Sequence, residues 1–224
     1  MPAYSALVFD LDGTLIDSAP DIARALNAGF MLNGWPVLDA AYVERFIGNG
    51  PRRLIVDILE DLGVVHDDLS VQRAFDGYLR AYLHDPAGLT RFFPHVREDL
   101  QALHDAGIRL GICTNKNHAV TARVLEQLGL APLFEVALGA DAVPACKPDP
   151  AHLRAVADTM GLAPGTWAYV GDTPVDQQTA EATGVRFFVV PWGGGPDVDI
   201  AQEQRLTRLA DLLEHGPIIA AAHV

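Results

Sequence analysis

Basic residues are scarce. Lysine and arginine number 16 against 29 aspartates and glutamates, for a formal net charge of −13. So acidic a chain repels polyphosphate backbones and anionic membrane surfaces, which argues against nucleic acid or a membrane as partner. A small anionic ligand meets the same field, so a site for one needs a local cation. Cysteine is almost absent: Cys113 and Cys146 are the only two, with no CxxC or His-paired spacing, and they read as reduced thiols in a cytoplasm. No apolar run approaches the ~20 residues needed to cross a bilayer. The start, Met1 to Ser5, lacks the basic region of a signal peptide, and no repeat or low-complexity tract is visible.

What is present is an ordinary globular balance, half hydrophobic and a fifth charged, with glycine and proline spread along the 224 residues. That length accommodates one large α/β domain, or a core of about 150 residues with a smaller insert. Ala6-Leu7-Val8-Phe9 is an apolar run that stops abruptly at Asp10, the pattern of a strand buried on both faces of a parallel sheet. Similar runs span 109–113, 167–170 and 186–190, with a weaker one at 135–138. Helical patterns alternate with them over 96–106, 119–128, 151–160 and 175–183, and Gly107, Gly129 and Gly161 stop the first three. Strands alternating with helices predict a doubly wound, Rossmann-like parallel α/β sheet. Ligands gather beyond the carboxyl ends of such strands, where Asp10, Thr114 and Asp172 stand.

One stretch breaks the alternation. Between Ser18 and Pro86 the chain reads as consecutive amphipathic helices around 22–32, 42–47, 54–62 and 71–83. An all-helical insert directly after the first strand predicts a small cap domain over residues 18–86, with 1–17 and 87–224 forming the α/β core. In that cap Trp35, Tyr78 and Tyr82 read as packing residues.

Asp10-Leu11-Asp12-Gly13-Thr14 places two carboxylates two positions apart just after a buried strand. Close anions repel unless a cation lies beside them, and magnesium, which favours oxygen ligands, suits such a site with Asp172 as a further ligand. Read singly, each motif has a plainer meaning. Asp-x-Asp-Gly is a common turn, Gly171-Asp172 a helix cap, Lys147-Pro148 a solvated loop and Thr114-Asn115 a capping pair. Their joint order at strand ends is what points to catalysis.

With these motifs the chain resembles the haloacid-dehalogenase superfamily. Phe9-Asp10-Leu11-Asp12-Gly13-Thr14 is similar to its first motif, Thr114-Asn115 to the second, Lys147-Pro148 to the third and Gly171-Asp172-Thr173-Pro174-Val175-Asp176 to the fourth. The resemblance implies that Asp10 attacks phosphorus and that Asp12 protonates the leaving oxygen and then activates water. It implies that Thr114 and Lys147 hold the phosphoryl oxygens, and that Mg2+ lies among Asp10, Asp12, Asp172 and Asp176. Dehalogenases and phosphonate hydrolases of this type generally lack a carboxylate at the position of Asp12, so its presence implies phosphate-ester chemistry, and a helical cap closing over the site implies a small molecule as substrate.

The stretch Phe46-Ile47-Gly48-Asn49-Gly50-Pro51-Arg52-Arg53-Leu54 resembles bacterial phosphoglycolate phosphatases. By that resemblance Gly48 and Gly50 let the loop approach the site, Asn115 lies on substrate, and Arg52 or Arg53 meets a substrate carboxylate. The loop Pro191-Trp192-Gly193-Gly194-Gly195 departs from the family pattern, which leaves room for another small ester. A β-phosphoglucomutase-like mutase shares Asp12 and the cap, and a receiver-like phospho-acceptor uses similar groups without turnover. No oligomeric state is implied.

Overall fold

The computed structural model describes residues 4–214. Five parallel strands make the central sheet: β1 (Ala6–Phe9), β4 (Arg109–Cys113), β5 (Val136–Leu138), β6 (Trp167–Gly171) and β7 (Arg186–Val189), in the order β5-β4-β1-β6-β7. β1 lies in the middle because all four of its side chains are apolar and none needs solvent. Period-two alternation divides them between two layers. Leu7 and Phe9 join a core with Val96, Leu100 and Val120, whereas Ala6 and Val8 face Leu153, Val156 and Ala180. The helices that supply these residues are α5 (Val96–Asp105), α6 (His118–Gln127), α7 (Pro150–Thr159) and α8 (Pro174–Thr183). Gly107, Gly129 and Gly161 follow α5, α6 and α7 with φ of 82°, 67° and 63°, the left-handed turn that ends a helix.

Four helices lie between β1 and α5: α1 (Ala19–Met31), α2 (Ala40–Glu44), α3 (Pro51–Asp61) and α4 (Asp68–His84). The fold is therefore a doubly wound α/β core with an all-helical cap inserted after the first strand. α1 and α4 cross closely because the contact is made by glycines. A Cβ on Gly29 would lie 2.2 Å from the Ala74 carbonyl oxygen, and one on Gly77 would lie 2.8 Å from Gly29 Cα. Trp35 packs edge-on to Phe30, and Tyr78 edge-on to Tyr82, inside this bundle.

The two chain crossings between core and cap are themselves paired, which the sequence reading did not anticipate. β2 (Ile16–Asp17) runs antiparallel to β3 (Arg91–Phe92). Two-residue strands carry too little pattern to be seen in sequence. The buried Asp21 at the start of α1 reinforces the join: its Oδ2 accepts hydrogen bonds from Leu89 N–H at 2.9 Å, Thr90 N–H at 2.7 Å and the Thr90 hydroxyl at 2.7 Å.

Candidate active site

Because β1 pairs with β4 on one side and β6 on the other, Asp10, Thr114 and Asp172 emerge side by side at the carboxyl edge of the sheet. Asp10 N–H donates to the Val170 carbonyl at 2.9 Å, which extends the ladder up to the aspartate itself. Asp10, Thr114 and Asp172 are all nearly or fully buried. Gly13 keeps φ at +86°, and a Cβ there would sit 2.3 Å from Asp172 Oδ2, so the Asp12-Gly13-Thr14 turn can lie against the β6 end only with glycine.

Lys147 joins the two ends of this edge. Its Nζ lies 2.8 Å from Asp10 Oδ1 and donates to Asp176 Oδ1 at 2.7 Å and to the Tyr169 hydroxyl at 2.9 Å. Burial works against the ammonium, but Asp10 and Asp176 outweigh it and hold Lys147 charged well beyond its ordinary range. Asp176 occupies the third position of α8. Its Oδ2 accepts from Thr173 N–H at 3.0 Å and the Thr173 hydroxyl at 2.7 Å, while the Tyr169 hydroxyl donates to Oδ1 at 2.7 Å. Burial alone would raise its pKa, yet Lys147 and these hydrogen bonds hold it below the usual value.

Asp10 and Asp172 behave oppositely. Burial raises Asp10 to about 7, with Lys147 only partly countering and Asp176 adding to the rise. Burial, then the charges of Asp176 and Asp10, raise Asp172 to about 8. Among the described residues, Asp10, Asp172 and Asp176 bring ligand oxygens within 4.8 Å of one another. A divalent cation fits this donor set, since it is made of hard carboxylate oxygens whose ionisation is opposed by burial and mutual repulsion. Asp176 accepts from Lys147, the Tyr169 hydroxyl, Asp172 N–H and both the N–H and hydroxyl of Thr173, more protein donors than hold Asp10 or Asp172, so Asp10 and Asp172 are the freer ligands.

Asp12, expected with the other metal ligands, turns elsewhere. Its carboxylate receives the Ser18 hydroxyl at 2.5 Å and the Lys116 ammonium at 2.9 and 3.0 Å, and Lys116 also donates to the Tyr82 hydroxyl at 2.6 Å. The strand ends at Phe9, so the alternation that would align Asp10 with Asp12 no longer applies. Lys116 was missed in the sequence. It follows Thr114-Asn115 directly, and a lysine next to a strand-end motif in so acidic a chain was the available signal.

Other expectations are redistributed. The Asn115 amide donates to the carbonyls of Gly48 at 2.9 Å and Lys147 at 3.0 Å and accepts from Lys147 N–H at 3.0 Å, so it ties the cap loop to the lysine loop. Gly48 and Gly50 do come close: with φ at +83°, a Cβ on Gly50 would lie 3.2 Å from the Asn115 carbonyl oxygen. Arg52 and Arg53, one of which was expected to meet the substrate, are not among the residues that line the Asp10 pocket. α3 buries Leu54, Ile55, Ile58 and Leu59, and helical rotation turns the two arginines to the outer side. There Arg52 donates to Gln72 at 2.7 Å and Arg53 pairs with Asp57 at 2.7 Å.

The pocket that contains Asp10 is about 40 Å³ and is lined by Asp12, Gly48, Leu54, Tyr78, Thr114 and Lys116 among others. Beside it, past Gly48, a cleft of about 530 Å³ exposes Asp12, Gly13 and Asp172 to Arg45 and Phe93. A small inner pocket of mixed apolar and polar lining, beside a wider cleft, suits a small ligand. No helix among the described residues is long and apolar enough to cross a membrane.

This geometry has relatives. The model of the haloacid dehalogenase-like hydrolases matches residues 7–190. A phosphoglycolate phosphatase of Cereibacter sphaeroides is 38% identical over 214 residues, covering 93% of this chain and 97% of its own. One from Rhodospirillum rubrum is 38% identical over 193 residues, covering 84% of this chain and 80% of its own. Among solved structures, a predicted phosphoglycolate phosphatase from Haemophilus somnus superposes with a TM-score of 0.82 at 28% identity, covering 96% of this chain and 98% of that one. The family match runs from within β1 to just past β7 and takes in every residue of the acidic cluster and both lysines beside it, so the chain belongs to the haloacid dehalogenase-like hydrolases.

Proposed function

We propose that the chain is a phosphatase that hydrolyses a small phosphate monoester, phosphoglycolate foremost, through a phosphoryl group carried briefly on Asp10. The observation that carries this reading is the buried Asp10 carboxylate held 2.8 Å from Lys147, with a second carboxylate, Asp12, lining the same small pocket. One Asp10 oxygen attacks phosphorus as the ester P–O bond breaks, and Asp12, taking up a proton from solvent when substrate enters, gives that proton to the departing alkoxide. Water then attacks the same phosphorus while Asp12 takes a proton from it. The P–O bond to Asp10 breaks, inorganic phosphate leaves, and the carboxylate is regenerated.

Thr114 and Lys147 hold the phosphoryl oxygens during both displacements. Asp10 and Asp172 would hold Mg2+, with Asp176 orienting Lys147 beside them. The cation would offset the charge of carboxylate and phosphate brought together. Residues 18–86 act as the lid over this site, the remainder as the core. The Lys116 ammonium, not the outward arginines of α3, supplies positive charge for the carboxylate of a phosphoglycolate-like substrate. The relatives, named as phosphoglycolate phosphatases, support that substrate. Two cysteines without a disulfide accord with a reducing cytoplasm.

The test is steady-state hydrolysis of phosphoglycolate, β-glucose 1-phosphate and other small esters, with Mg2+ or with chelator, beside Asp10→Asn. One ester turned over only with Mg2+, and not by the variant, supports the mechanism and names the substrate. A phosphoryl group held on Asp10 without turnover would indicate a receiver-like role instead.

A further inference from the structure

The loop Pro191 to Gly195 follows β7 and carries none of the groups used above. We propose that Trp192 is a positioning residue whose indole N–H locks this loop onto the Asp12-Gly13-Thr14 turn, and so fixes the Asp172 carboxylate as a cation ligand. The inference rests on the reading that Asp172 ligates a divalent cation.

Two groups hold the Asp172 carboxylate, one on each oxygen. The Thr14 hydroxyl donates to Oδ1 at 2.8 Å, and Gly194 N–H donates to Oδ2 at 2.9 Å. Both come from segments that Trp192 joins. Its indole Nε1–H donates to the Thr14 carbonyl at 2.9 Å, and Gly194 is two residues further along its own loop. The glycines let the two turns touch. A Cβ on Gly193, with φ at +57°, would lie 2.4 Å from the Gly13 carbonyl oxygen and 2.6 Å from Asp172 Oδ2. On its other side the indole stacks on Phe93, with ring centroids 5.5 Å apart and planes 17° apart.

A carboxylate gripped at both oxygens cannot rotate about its last bond. If Trp192 releases Thr14, the turn and the glycine loop separate, one grip loosens, and the ligand oxygen is no longer presented in one orientation. Groups that orient metal ligands in this way typically contribute about 10- to 100-fold in metal affinity. A purely space-filling tryptophan would contribute to stability and leave metal affinity alone.

The experiment measures Mn2+ binding to the full chain by the electron paramagnetic resonance signal of the free ion, without substrate, together with the metal-free unfolding midpoint. Trp192→Phe retains an aromatic ring for Phe93 and removes the N–H donor. It is expected to weaken Mn2+ binding about tenfold, while the unfolding midpoint stays near that of the parent. Phe93→Leu keeps the donor and removes the stack, and is expected to lower the midpoint while binding Mn2+ as the parent does. Unchanged Mn2+ affinity in Trp192→Phe overturns the proposal. Should that variant not fold, a tenfold loss of affinity in Phe93→Leu overturns it instead, because the stack and not the N–H would then set the ligand. Failure of the parent itself to bind Mn2+ is a separate result: it removes the metal reading, and this inference with it.

Discussion

Lys116 and Asp12 form a part-buried ion pair, the ammonium 2.9 and 3.0 Å from the two carboxylate oxygens, and Tyr82 of the cap helix α4 accepts from the same ammonium at 2.6 Å. The carboxylate proposed to transfer protons is thus held by a neighbouring lysine that the cap also touches. Lys116→Met is expected to lower kcat/KM for the best ester by about 100-fold. Tyr82→Phe, which leaves the ion pair intact, should have a far smaller effect. Steady-state kinetics decide it, and a Lys116→Met value within a few-fold of the parent would remove Lys116 from the site.

Metal should stabilise the fold by mass action. With Mg2+ at about 100 times its Kd, the gain is about 2.7 kcal/mol. Calorimetry should show a higher unfolding midpoint on adding Mg2+ to the parent and no change for Asp172→Ala. An equal rise in both would place the cation elsewhere.

The pH dependence of the metal-free protein follows from the same aspartates. Burial raises Asp10 to about 7 and Asp172 to about 8, above their values in the unfolded chain, so the folded state binds the extra protons. Folding is favoured below the unfolded value of about 4, and that contribution declines as pH rises through 7 and 8. Urea unfolding in chelator should therefore show stability falling from about pH 5 to about pH 8, with Mg2+ recovering it at the upper end. A flat chelator profile contradicts this.

Asp21 has the opposite sign. Burial would raise it, but hydrogen bonds from Thr90, Arg24 and Leu89 prevail and hold it below the ordinary carboxylate value. Its contribution is complete above the unfolded value of about 4 and disappears as pH falls through the folded one. Asp21→Asn should cost about 2 kcal/mol at neutral pH, and less in acid. Urea titrations of parent and variant at both pH values test it. A difference independent of pH would mean that the carboxylate charge is unimportant where core and cap join.

Gly50→Ala adds a methyl group 3.2 Å from the Asn115 carbonyl oxygen at a φ of +83°. Gly34→Ala meets a similar φ of +68° with nothing within 4 Å. Both should lose about 1 to 2 kcal/mol for the left-handed backbone. Only Gly50→Ala should also lower kcat/KM, by about tenfold, because it displaces the loop that covers the site. Equal kinetics in the two would separate that loop from catalysis.

The strands, the alternating helices and the helical insert were legible in the sequence because each rests on local pattern. Apolar runs that end on a polar residue, such as Ala6 to Phe9 before Asp10, leave little choice of burial, and glycines such as Gly107 and Gly129 mark helix ends by backbone geometry alone. The order of Asp10, Thr114, Lys147 and Asp172 was equally visible, since a parallel sheet sends all its strand ends to one edge.

Partnership was not visible, because it depends on which side chains meet after the chain returns from far away. Lys116 and Asp12 are 104 positions apart, and Trp192 and Thr14 are 178 apart. The sequence determined by itself that carboxylates, a lysine and a threonine would gather at one sheet edge beneath a helical insert. Only the tertiary structure decided that Asp12 would face Lys116 and not the acidic cluster, that Asp176 would hold Lys147, and that Arg52 and Arg53 would point outward. Local pattern sets where a backbone goes. In a buried acidic site the competition among desolvation, repulsion and hydrogen bonding sets each charge's partner, and that competition exists only once the elements are packed.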